Sequence, residues 1–219
     1  MNNAIGSKRN TSPRVAKKRQ RARQEILQTA QELLKDGGVE TLTLASVAGQ
    51  LGMTKQALYH YFPSKEAMLR ELVTALLDEE IDALILVIDA PDFVDQPFRK
   101  LMRAFYDHYI VRLDAFRTIY GRTQVYSVNQ TAIDQDTLRD EINPRTRRLF
   151  DRLEERIAGG SASEQESRHA RQLAFTAWTS VLGLMTMFSI ADATNDPLVH
   201  THRDLLDMLS NVFDQARSD

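Results

Sequence analysis

Apolar residues in this chain recur three and four positions apart and do not settle into alternation. That spacing dictates helices with one buried face and leaves no candidate strand. Ile26, Ala30, Leu33 and Leu34 open the series, and Gly37-Gly38 supplies the left-handed backbone that ends a helix. Thr43 can cap a second helix burying Val47, Ala48 and Leu51, which Gly52 soon breaks. Thr54 can cap a third, also very short, running through Tyr61. Pro63-Ser64 stops it, and Ser64 can cap a fourth helix with Met68, Leu69, Leu72, Leu76 and Leu77. Its stripe continues through Ile81, Leu84, Ile85 and Ile88, reads as unbroken, and stops at Ala90-Pro91.

Longer helical patterns follow. Pro97 suits a helix start and leads into Phe98, Leu101, Met102, Phe105 and Tyr109 on one face. A segment around Phe116, Ile119 and Tyr120 comes next. Residues 121–135 are polar and read as a loop or a frayed helix end. Leu149, Phe150, Leu153 and Ile157 mark another helix, closed by Gly159-Gly160. Ser163 to Glu166 has the spacing of a capping box, and opens a helix with Leu173, Ala174, Ala177, Trp178, Val181, Leu182 and Met185. The last pattern carries Leu205, Leu206, Leu209, Val212 and Phe213. The expected fold class is all-α.

Charge divides the chain. The whole sequence carries a formal net charge of −2. Residues 1–72 hold twelve Lys and Arg against six Asp and Glu, and the remainder holds sixteen against twenty-four. A basic N-terminal third on an acidic remainder suggests a nucleic-acid module joined to a different kind of domain. Eight basic residues fall within positions 1–23 (Lys8, Arg9, Arg14, Lys17, Lys18, Arg19, Arg21 and Arg23) with no acid among them. Residues 1–16 read as a disordered basic arm, either reaching DNA phosphate or simply solvated. The absence of cysteine excludes disulfides, a thiolate zinc site and a cysteine nucleophile. No run of about 18 apolar residues and no secretory signal is evident, so a cytoplasmic protein without a membrane span is expected.

The two short helices joined at Gly52 have the shape of a helix-turn-helix. Small Ala48 lets them cross closely, and the second is short enough to lodge in a major groove roughly 12 Å wide. The stretch from Thr41 to Leu69, and above all Leu58-Tyr59-His60-Tyr61-Phe62 followed by Ser64-Lys65-Glu66, resembles the DNA-binding region of the TetR family. The resemblance spans roughly residues 20–72. It implies an N-terminal three-helix helix-turn-helix domain at 17–66. It also implies a larger helical ligand-binding and dimerisation domain at 67–219.

The family's roles carry over position by position. Thr43 and Thr54 match phosphate-contacting positions at helix starts, where capping is the alternative role. Lys55, Gln56 and Tyr59 match base-facing positions. Lysine can donate to guanine, and glutamine can pair bidentately with adenine. His60, Tyr61 and Lys65 match phosphate contacts, while Leu58 and Phe62 belong to the core. The resemblance further implies a homodimer on double-stranded operator DNA, paired through two helices at about 164–190 and 200–215. Trp178, Leu182, Met185, Leu205, Leu209 and Phe213 are its candidate contacts, unless they serve the monomer core. A small-molecule effector, of unknown identity, is expected among Phe105, Tyr109, Phe116, Tyr120 and Tyr126, unless these are ordinary core aromatics. Through the fourth helix, its binding would release the operator.

His108 and Arg112 are four apart and could face one cavity or the surface. His200-Thr201-His202 lacks a third ligand, so no metal is assigned, and no cofactor is implied. No G-x-S-x-G, H-E-x-x-H or P-loop is present, which argues against an enzyme. The alternative is a helix-turn-helix protein without a small-molecule effector, acting through dimerisation or a protein partner.

Overall fold

A computed structural model describes residues 13–121, 134–194 and 201–217, and they are helical without any strand among them. The chain divides into two compact units, Met1–Met68 and Leu69–Asp219.

The first unit holds α1 (Pro13–Thr41), α2 (Leu44–Gln50), α3 (Lys55–Tyr59) and the start of α4 (Lys65–Ile88). Of the expected disordered arm, residues 1–12 lie outside the described residues. Pro13–Ala16 are helical instead. Proline's fixed φ suits a first helical position, and nothing after Pro13 interrupts the helix before the glycine pair. Gly38 takes φ 70°, a left-handed conformation, and kinks α1 where the sequence places its end. The helix then resumes for one turn to Thr41, whose hydroxyl donates to the carbonyls of Leu33 and Gly38.

Short helices need caps, and each here has one. Thr43 accepts from Ser46 N–H at 2.9 Å, and Ser46 Oγ accepts from Thr43 N–H at 2.9 Å, a reciprocal box. Thr54 Oγ1 accepts from Ala57 N–H at 3.1 Å, and Ser64 Oγ from Ala67 N–H at 3.1 Å. Gly52 sits at φ 62° in the turn between α2 and α3. Ile26, Ala30, Leu34, Leu42, Val47, Ala48, Leu58 and Phe62 are buried together as the unit's core.

The second unit contains the rest of α4, a 3-10 turn (Phe93–Asp95), α5 (Pro97–Tyr109), α6 (Leu113–Phe116) and a π turn (Arg117–Gly121). After the undescribed residues come α7 (Gln135–Thr137), a second π turn (Leu138–Ile142), α8 (Asn143–Ala158), α9 (Glu164–Thr194) and α10 (His202–Ala216). The expected capping box at Ser163 is present, with Glu166 accepting from Ser163 N–H at 2.6 Å.

α9 is long and apolar enough to cross a membrane by length and composition, contrary to the expectation that no such segment exists. Its interspersed Thr and Ser residues carry no charge and so leave mean hydropathy high. Packing gives it another role. Ala174, Ala177, Val181, Met185 and Phe188 are fully buried, as the central core helix of the unit against α8, α5 and α10.

Polar contacts fix the helices to one another. Asp214 of α10 accepts from the N–H groups of Phe98 and Arg99 at 3.0 and 3.1 Å, capping the start of α5. Arg156 of α8 donates to the carbonyls of Ile88 and Ala90 at the end of α4. Arg145, Arg148 and Arg152 pair with Asp78, Asp82 and Asp89, a ladder that sets α8 parallel to α4. These pairs are largely exposed, so they align the helices more than they stabilise them.

Candidate functional site

In the first unit, α3 buries Leu58 and turns Lys55, Gln56 and Tyr59 outward. Tyr59 is 45% exposed, and Lys55 Nζ lies 5.8 Å from its ring centroid. Thr43, Thr54 and His60 are also exposed, while Tyr61 and Lys65 are half-buried. Thr43 and Thr54 both cap their helices, and Thr43 Oγ1 also lies 3.1 Å from Ser46 Oγ. All eight positions expected at DNA therefore keep at least partial access to solvent.

Two arginines counted with the basic arm have a different place. Arg23 donates to the Tyr61 carbonyl at 2.6 Å, and its guanidinium lies 4.4 Å from the Phe62 ring centroid. Arg19 reaches the His60 carbonyl at 3.4 Å. Both hold the end of α3 against α1. Their charge run in the sequence concealed this, because phosphate binding and carbonyl binding call for the same residue type.

In the second unit, a cavity of about 190 Å³ is lined by α4, the two π turns, α8 and α9. Leu77, Ile81, Ile119, Leu149 and Trp178 give it apolar walls. Glu80 is its one carboxylate among the described residues. It is wholly buried and accepts from the hydroxyls of Tyr109 and Tyr120, the latter at 2.8 Å. Burial pushes its carboxyl up to about 7, against the opposing pull of the two hydroxyls. Burial and the adjacent carboxylate in turn raise both tyrosine hydroxyls, which stay protonated.

Of the expected ligand residues, Tyr120 lines this cavity. Phe105, Tyr109 and Phe116 do not; they are fully buried in edge-to-face contact behind it, with ring centroids 5.0–6.3 Å apart. Helical spacing put all of them on apolar faces but did not say which face meets a void. Tyr126 lies outside the described residues. Sequence reasoning missed Glu80, although a signal existed. It stands in the α4 stripe between Leu77 and Ile81, so the stripe is not unbroken as expected.

Arg112 pairs with His108 and, at 3.1 Å, with Glu79; neither Arg112 nor His108 lines the cavity. His202 stacks on Phe188 at 3.8 Å between centroids. His200 lies outside the described residues. Among the described residues no group of acidic or histidine side chains could hold a metal ion.

Of the candidate dimer contacts, Trp178, Met185 and Phe213 are buried in the unit's own core, the monomer alternative. Leu182, Leu205 and Leu209 are half-buried. Other apolar residues on the same two helices are left in solvent. Met187, Met208 and Val212 are 44%, 71% and 61% exposed and, with Leu205 and Leu209, edge a shallow groove between α9 and α10. A helix turns 100° per residue, so one apolar helix offers a core face and an outer face that periodicity alone does not distinguish.

Residues 26–72 match the family described as "Bacterial regulatory proteins, tetR family". Curated relatives include proteins named nucleoid occlusion factor SlmA. The one from Vibrio campbellii is 28% identical over 64% of this chain and 66% of its own length. The one from Vibrio cholerae is 29% identical over 60% of this chain and 62% of its own length. The chain thus matches just under two thirds of these relatives' length. A TetR/AcrR-family transcriptional regulator from Thermobifida fusca superposes with a TM-score of 0.61 at 20% identity, over 89% of this chain and 97% of that one. A TetR variant from Acinetobacter baumannii, solved in complex with minocycline, gives 0.60 at 19% identity, over 89% and 97%. At such identities the likeness to solved structures is one of fold. The N-terminal segment thus matches the DNA-binding domain of the TetR family, and the chain shares the all-helical fold of TetR-family regulators.

Proposed function

We propose that the protein is a ligand-responsive regulator, a repressor that binds operator DNA in the cytoplasm as a homodimer. It releases that DNA when a small molecule enters the cavity beside Glu80. The observation that carries the reading is the outward face of α3, where Lys55, Gln56 and Tyr59 are exposed over a buried Leu58. Lys55 and Gln56 read base edges, Tyr59 packs beside them, and Thr43, Thr54, His60, Tyr61 and Lys65 hold phosphates. The first domain is the reading head, at about residues 17–66. The remainder senses and dimerises through the groove between α9 and α10. α4 carries both Lys65 and Glu80, so a ligand at the cavity acts on a helix that reaches the head. Its effect on the operator equals its differential affinity for the two states of the protein.

The test is to select a DNA duplex from a random pool with the purified protein, then titrate small molecules against that complex. Ligand-dependent release at a stoichiometry of one site per protomer supports the proposal. A selected duplex that no cavity-binding ligand displaces counts against it.

A second reading keeps the DNA-binding head but dispenses with the effector. Two observations favour it. The curated relatives are named nucleoid occlusion factors, and the cavity of about 190 Å³ is below the roughly 300–1,000 Å³ of common ligand sites. In that case the second unit acts through dimerisation or a protein partner.

A further inference from the structure

We infer that the cavity beside Glu80 selects a small organic monocation, an ammonium group on an apolar body about one ring in size. The inference rests on the effector reading above and names the ligand's chemistry.

Three observations converge. First, Glu80 is a wholly buried carboxylate at the wall of an otherwise apolar cavity. Second, its protein partners are two hydroxyl donors, Tyr109 and Tyr120. Hydroxyls can hydrogen-bond to a carboxylate, but they bring no charge to balance it. Third, the nearby cations among the described residues are committed elsewhere. Arg112 pairs with the outward-facing Glu79, and Arg145 pairs with Asp78. Among the described residues none forms an ion pair with Glu80. A buried carboxylate without a counter-charge is costly, and a cation brought by a ligand removes that cost.

The walls define the rest of the ligand. A cavity of about 150 Å³ takes one benzene ring, so about 190 Å³ leaves room for a ring and a short aminomethyl arm. Tyr120 and Trp178 stand 6.5 Å apart between ring centroids, and both line the cavity. Their faces attract a cation as well as an apolar ring. An anionic ligand would meet Glu80 at close range and be repelled. A neutral ligand would fill the space but leave the carboxylate uncompensated.

Trp178 is the only tryptophan in the chain, so selectively excited tryptophan emission reports from the wall of this cavity. The probes are benzylammonium, benzyl alcohol and benzoate, nearly equal in size and differing in charge. Titrated into the full-length protein at pH 8, benzylammonium is expected to change Trp178 emission saturably. Its affinity should exceed that of benzyl alcohol by about tenfold or more, with benzoate weakest. In Glu80→Gln the preference for the ammonium over the alcohol should vanish. The wild-type comparison needs no variant, so it stands even where Glu80→Gln misfolds.

Benzyl alcohol or benzoate binding as tightly as benzylammonium overturns the charge assignment and leaves the effector reading intact. So does an ammonium preference that survives in folded Glu80→Gln. Failure of all three probes to bind overturns the cavity as a ligand site, and the effector reading falls with it.

Discussion

At the scale of single residues, the eight positions proposed to meet DNA, all exposed or half-exposed, divide by chemistry. Phosphate contacts supply affinity that falls with salt, whereas base contacts discriminate by roughly 1–3 kcal/mol per good pair. Lys65→Ala is therefore expected to weaken binding to every sequence and to lower the salt slope by about one unit per protomer. Gln56→Ala should instead relax preference mainly at one base pair. Binding titrations at several salt concentrations, against the selected duplex and single-base variants of it, separate the two. An unchanged slope for Lys65→Ala would remove its phosphate role.

Glu80 makes a prediction about pH. Its carboxyl ordinarily titrates near 4.5, and burial moves it to about 7. Between those values the folded protein holds a proton that the unfolded chain has released. Stability from this residue therefore falls as pH rises through that window, by about 3 kcal/mol in all, and is level above it. Chemical denaturation of wild type and Glu80→Gln across pH 4 to 9 isolates the contribution as their difference. A difference that does not grow between pH 5 and 7 would show that Glu80 is not buried as a bare carboxylate.

At the scale of elements, helix existence was legible because caps and breakers stand beside the periodic runs. Thr43, Gly52, Thr54 and Ser64 all act where the sequence places them. Less was legible where one residue type serves two purposes. Arg23 sits in a basic run that looks like a phosphate-binding arm, yet it ties α1 to the end of α3. The π turn at Arg117–Gly121 has no sequence signature, but it is what carries Tyr120 to the cavity. Glu80 was legible in principle, as a lone acid at a core register of α4. Arg23→Ala should destabilise the head by about 2 kcal/mol, through a lost charged hydrogen bond and a lost cation–π contact. Thermal denaturation measures this. A stable variant with a reduced salt slope would instead return Arg23 to the phosphate role.

At the scale of the whole molecule, the sequence split of charge matches the division of the chain into two units, basic and acidic. Which face of a long apolar helix meets a partner was not legible, since α9 and α10 are apolar on more than one side. The dimer proposal now falls on the exposed Met187, Met208 and Val212 rather than on Trp178, Met185 and Phe213. Replacing Met208 and Val212 together by Asp should yield a folded monomer by sedimentation, with operator affinity reduced about a hundredfold or more as the second half-site contact is lost. An intact dimer in that variant would place the interface elsewhere.

The cap that Asp214 places on α5 can form only late in synthesis. Phe98 and Asp214 are separated by 116 positions. At about 5–20 residues per second, α5 waits roughly 6 to 20 s after its first residue emerges before its N–H groups can be satisfied this way. The contact from Arg23 to Tyr61 spans only 38 positions. On a translating ribosome, the first unit can close its own contacts early, while α5 gains its Asp214 cap only once α10 has been made.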